Sequence, residues 1–122
     1  AAVRDAVGPD YLVAVRLGGC DYQPGGSTIE DAAQTAVLLE KAGVDLIDLS
    51  GGTCRYIRQD HQEPGYFSDM SAAVKAVVSV PVLVTGGIQT PADAEALLQA
   101  GKADLVGVGR ALYKNPRWGF NQ

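Results

Sequence analysis

Hydrophobic and polar positions alternate between two periods along this chain. Short, nearly continuous runs of branched apolar residues (Tyr11–Leu17, Val44–Leu49, Val80–Thr85 and Ala103–Val108) have the pattern of strands buried on both faces. Between them, apolar residues recur at helical spacing. Ile29, Ala32, Ala33, Ala36 and Val37 make one stripe; Met70, Ala73, Val74 and Val77 make another. Residues 2–7 read as the tail of a helix, stopped by Gly8-Pro9-Asp10. Thr28 with Asp31 is a capping-box start. Thr90-Pro91-Ala92-Asp93 adds a proline at the first helical position. Gly43 sits where a left-handed cap is expected, and Gly101 ends the helix that Thr90 opens. Loops are expected over Gly18–Gly26 and over residues 50–67, and a short helix from Arg110 to Lys114 is halted by Pro116.

The count is four βα units without a repeat or linker, which means a parallel sheet covered by helices. The 122 residues suffice for one domain, residues 1–122. A complete (β/α)8 barrel takes about 250 residues, so the pattern predicts half of one, corresponding to strands five to eight. The chain starts Ala1-Ala2-Val3-Arg4, and Met70 is its only methionine. With the architecture, this reads as a piece of a longer protein.

Two strings carry the chemistry. Val84-Thr85-Gly86-Gly87-Ile88 and Gly107-Val108-Gly109-Arg110 each end an apolar run in glycine where strand hands over to helix. Without a Cβ, backbone N–H groups there are open to an anion, and the start of the following helix adds to the attraction. One crossover helix fits between the strings, so two adjacent strand ends would share one phosphate.

Composition narrows the partners. At 47% hydrophobic and 20% charged residues, the chain is globular. A net charge of −4 with no basic stripe argues against nucleic acid. No apolar run suggests a membrane span or a signal peptide. Cys20 and Cys54, in different loops, leave a disulfide open, and a reducing cytoplasm is the simpler reading. With His61 as the only histidine and no Cys-x-x-Cys pair, zinc is not expected.

The order and spacing of several strings resemble the old yellow enzyme family of FMN-dependent NADH:flavin oxidoreductases, in the C-terminal half of its barrel. They are Val15-Arg16-Leu17, Pro24-Gly25-Gly26-Ser27-Thr28-Ile29-Glu30, Ala42-Gly43-Val44-Asp45, Leu49-Ser50-Gly51-Gly52, Pro64-Gly65-Tyr66, Thr85-Gly86-Gly87-Ile88 and Ala103 to Leu112. The resemblance implies FMN as cofactor and NAD(P)H as hydride donor, with an activated alkene as acceptor. It puts Arg16 beside the pyrimidine edge of the flavin, and the Gly86-Gly87 turn, Gly109 and Arg110 on the FMN phosphate. It also implies that the histidine pair, the proton-donating tyrosine and a flavin-contacting glutamine belong to a first half that this chain lacks. The isolated chain is then expected to be inactive, and its partner to be the missing half-barrel or a second copy.

Blander readings stand beside these. Arg16 could snorkel from a strand end, Gly86 and Gly87 could merely make a tight turn, and His61 could be a solvated loop residue. Tyr66 could touch substrate or anchor packing. Asp48 shares a strand face with Ser50, and the default role of Asp45 and Asp48 is a hydrogen bond to a neighbouring loop. Two further alternatives are a non-catalytic half-barrel that self-associates or binds a partner, and half of a different phosphate-binding barrel.

Overall fold

A computed structural model describes residues 2–54 and 57–120. Nine elements follow one another: α1 (Ala2–Val7), β1 (Ala14–Cys20), α2 (Ile29–Lys41), β2 (Leu46–Gly51), α3 (Ser68–Lys75), β3 (Val82–Val84), α4 (Pro91–Gln99), β4 (Leu105–Val106) and α5 (Arg110–Lys114). The strands form one parallel sheet in the order β1-β2-β3-β4. That sequential order separates a barrel from a doubly wound sheet. Right-handed crossovers that always step the same way put every helix on one face. The chain is half of a (β/α)8 barrel.

Capping follows the sequence closely. The Thr28 and Thr90 hydroxyls accept from the N–H groups of Asp31 and Asp93, whose carboxylates accept from the cap N–H groups in return. Gly43 and Gly101 close α2 and α4 with φ of +89° and +67°. Strand ends differ from expectation. β1 starts three residues late, at Ala14, because its partner β2 begins only at Leu46, after the Gly43 turn. It then runs on through Gly18 and Gly19 to Cys20, because β2 continues to Gly51. Cys20 is therefore a buried strand residue and not a loop residue. β3 and β4 are shorter than the apolar runs that predict them, with Val80 and Ala103 packing outside the ladder. Val77 lies beyond the end of α3 and is exposed, so it is not part of the buried stripe.

One face of the sheet makes the core. Ile47, Leu49, Val82 and Val84 are fully buried against Ala32 and Ala36 of α2 and Met70 and Val74 of α3. The register shifts between Gly18 and Cys20, a bulge that turns Gly19 toward the helices. A Cβ on Gly19 would lie against Met70 Sδ and 2.9 Å from Ala32 Cβ, so α2 and α3 pack on bare backbone there. The opposite face carries Ala14, Arg16, Leu46, Asp48, Leu83 and Leu105, each exposed or half-buried, and no described residue covers it. Carboxylates tie the N-terminal ends of the strands together. Arg4 of α1 donates to Gly43 O and pairs with Asp45, while Asp45 also accepts from Val13 N. Glu40 accepts from Ser79 N and Val80 N, and Asp104 accepts from Val82 N and pairs with Lys75.

Two outcomes follow. Gly19→Val overpacks the α2–α3 seam and should cost about 1–3 kcal/mol in urea unfolding. The Asp93 carboxyl is held below its usual range by the Thr90 N–H, and that of Asp104 by Lys75 and the Val82 N–H. Their folded values lie below the ordinary 3.8, so their stabilising contribution is complete above that pH and is lost as pH falls below it. Circular dichroism at fixed urea should show unfolding setting in below that value; a pH-independent midpoint down to pH 2 would contradict it.

Candidate functional site

All four strands deliver their C-terminal ends to one side of the molecule, where an open cleft of about 1520 Å³ lies. Arg16, Gly86, Gly87, Gly109 and Arg110 all line it, with Ser50, Arg58, Tyr66 and Lys114. The structure thus brings the five residues singled out by sequence to one place.

The two glycine strings meet there in different ways. Gly86 and Gly87 take φ of +114° and +68°, a turn that L side chains rarely adopt. A Cβ on Gly86 would sit 2.9 Å from the Tyr66 ring and from Phe67, and one on Gly87 would sit 2.5 Å from the Tyr66 ring. Gly109 has an ordinary φ of −111°, and a Cβ there would meet nothing within 4 Å. Its bare backbone therefore faces open space. Among the described residues, no protein acceptor is found for the N–H groups of Gly87 and Gly109.

Arg16 lies inside β1, four residues before its end, and not at the strand tip that the sequence suggests. It projects from the uncovered face, opposite Asp48 of β2. Its Nε donates to Asp48 Oδ2 at 2.7 Å, so the partner of Asp48 is a neighbouring strand and not the loop expected by default. The Arg16 side chain remains 62% exposed, and its two terminal nitrogens meet no acceptor among the described residues. Asp48 Oδ1 is buried with no hydrogen-bond partner among the described residues.

The loop after β2 closes one wall of the cleft. It begins at Gly52, two residues later than expected, because Ser50 and Gly51 pair with β1; Arg55 and Tyr56 lie outside the described residues. Asp21 organises its start by accepting from Thr53 N and from Ser27 N, which holds the Asp21 carboxyl below its usual range. Gly26 and Gly52 pack against the Asp21 side chain so closely that a Cβ on either would collide with it. Arg58 fastens the middle of the loop. Its guanidinium stacks 4.0 Å from the Tyr22 ring centroid and donates to Asp60, Asp69 and Tyr66 O. The Asp60 contact foremost, and then Asp69, keep Arg58 protonated. Burial, and then the hydrogen bond that Tyr22 donates to Asp69, push the Tyr22 phenol up, so it holds its proton at neutral pH. Tyr22 itself takes a left-handed φ of 52°.

Tyr66 ends the loop. It is almost fully buried and edge-on to Phe67, with centroids 4.9 Å apart, and its hydroxyl accepts from Arg110 Nη2 at 2.9 Å. His61 lines the cleft rim, exposed, with Nδ1 3.0 Å from Asp60 O. Both thiols are free, and burial, with Cys20 alongside, pushes that of Cys54 up. Cys54 thus lacks the lowered pKa of a reactive thiolate. Sequence reasoning missed Asp21, Arg58 and the pairing of Asp48 with Arg16. The Gly26 and Gly52 contacts with Asp21 are the kind of signal that only the fold reveals.

The metal reductase of Desulforamulus reducens is 40% identical over 121 residues, 95% of this chain but 18% of that protein. The NADH oxidase of Thermoanaerobacter brockii is 34% identical over 120 residues, with the same coverage. Among solved structures, a 2-naphthoyl-CoA reductase in complex with 2-naphthoyl-CoA superposes with a TM-score of 0.80 at 26% identity, covering 93% of this chain and 18% of that one. The chain thus spans about a fifth of the length of these relatives. No helix among the described residues is long and apolar enough to cross a membrane. Residues 1–121 match the NADH:flavin oxidoreductase / NADH oxidase family, and the chain belongs to that family.

Proposed function

We propose that this chain is the cofactor-gripping C-terminal half-barrel of an FMN-dependent NAD(P)H oxidoreductase. The observation that carries the reading is the convergence of two glycine turns and two arginines on one cleft in a member of this family. The donor set suits a phosphate monoester: among the described residues the N–H groups of Gly87 and Gly109 have no protein acceptor, and Arg110 brings a planar guanidinium to the same cleft. Open space at Gly109 lets an anion reach the backbone. In this reading FMN supplies hydride relay from NAD(P)H to an activated alkene.

Each residue then has a role set by charge. Arg16, with Nε bonded to Asp48, lines the cleft, where a cation favours negative charge developing on a bound ring system. Arg58 is electrostatically matched by Asp60 and Asp69, which suits it to fastening the loop and not to gripping an anion. This chain has no matched position for the groups that polarise an alkene's carbonyl or protonate its carbon. Turnover therefore requires the rest of a barrel.

The uncovered sheet face favours a second reading that is compatible with the first. With Leu105 43% exposed and β1 and β4 presenting unpaired edges, the half-barrel completes itself against a preceding half or against a second copy. A light-scattering mass of one chain, in a monodisperse sample that does not bind ANS, would remove the second-copy version.

FMN titration followed by fluorescence quenching tests the primary reading. Arg110→Ala should weaken FMN binding roughly 10- to 100-fold, the worth of a hydrogen bond to a charged group. Arg16→Ala should make the midpoint potential of bound flavin more negative, by about 30 mV if the cation contributes ~1.4 kcal/mol to the reduced form. Absence of quenching by both the chain and a longer protein containing it would overturn the assignment.

A further inference from the structure

We infer that Tyr66 is the positioning residue of the phosphate grip, one side chain that seats the Gly86-Gly87 turn after β3 and holds Arg110 after β4. The inference rests on the FMN-phosphate reading of this cleft and adds how its two halves are brought into register.

Three contacts support it. First, the ring lies on the bare backbone of both glycines, where any Cβ would collide with it. The left-handed turn and the missing side chains are thus both conditions for one aromatic contact. Second, the loop is docked independently of that ring. Gly65 N–H donates to Gly86 O at 2.7 Å, and Gly65, at φ +77°, packs so tightly on Leu97 of α4 that a Cβ would come 2.6 Å from it. Third, the Tyr66 hydroxyl accepts from Arg110 Nη2 at 2.9 Å. A buried, edge-packed ring gives that hydroxyl a fixed position.

The chemistry of the acceptor matters. Arginine carries large side-chain rotamer entropy, which an ordered site must overcome. A carboxylate would order the guanidinium and cancel its charge, as Asp60 and Asp69 do for Arg58. A phenol orders it without itself bringing a negative charge to the guanidinium. Tyr66 therefore acts through Arg110 and the turn.

The test compares FMN with riboflavin, which shares the ring system and lacks the phosphate, on the whole chain. Wild type should prefer FMN. Tyr66→Phe keeps the ring and removes the hydroxyl; it should weaken FMN about 3- to 10-fold, as expected for a neutral hydrogen bond, and leave riboflavin unchanged. In an Arg110→Ala background the same substitution should have no further effect on FMN. Wild-type FMN affinity in Tyr66→Phe would overturn the inference and leave the phosphate site standing. So would an equal loss for both ligands, or the same loss in the Arg110→Ala background. A wild type that binds riboflavin as well as FMN would overturn the phosphate site and the inference with it.

Discussion

Everything in this molecule follows from four parallel strands stepping the same way. Right-handed crossovers in sequential order put α2, α3 and α4 on a single face, so Ile47, Leu49, Val82 and Val84 make a dry core. The same constraint leaves the other face without cover. It also sends every strand's C-terminal end to one side, where loops from separate units must share a cleft. A doubly wound sheet would have covered both faces and divided the loops around a switch point.

With the scaffold fixed, precision at the cleft comes from places where backbone meets side chain without a Cβ between them. Gly26 and Gly52 close on Asp21, Gly19 on Met70, and Gly86 and Gly87 on Tyr66. All but the Gly26–Asp21 contact, which lies within one loop, join successive βα units. Asp21 lies after β1 and its Thr53 donor after β2; Tyr66 lies before α3 and its glycines after β3. The cleft is thereby a chain of neighbour-to-neighbour contacts that runs in the order of the strands. A loop that moved in one unit would be felt first in the next.

Helices were legible in the sequence because their ends are local chemistry. Thr28 and Asp31, Thr90 and Asp93, Gly43 and Gly101 act within a few residues of themselves, and each stands where the pattern puts it. Strand limits were not, since a strand ends where its partner does. Val13 follows Tyr11 and Leu12 in an apolar run, yet pairing begins at Ala14 because Leu46 is where β2 begins. The five candidate site residues were readable as glycine and arginine where apolar runs end, although Arg16 proves to lie inside β1. Their partners were not. Asp48 meets Arg16 only through a register between two strands, and the contact of Tyr66 with Arg110 spans 44 positions.

That difference has an electrostatic consequence. In a chain of net charge −4, the sequence can count arginines but cannot tell which are already neutralised. Arg4 and Arg58 are matched by carboxylates with side chains 17% and 11% exposed, and both hold parts of the fold together. Arg16 sits between these cases. Asp48 takes its Nε, while its 62% exposure keeps the remaining fork hydrated and keeps the ion pair weak. Covering that face would change the balance. Removal of water strengthens the Arg16–Asp48 attraction and raises the cost of the unpartnered Asp48 Oδ1. A hydrogen-bond donor brought to Asp48 by whatever closes over this face would offset that cost.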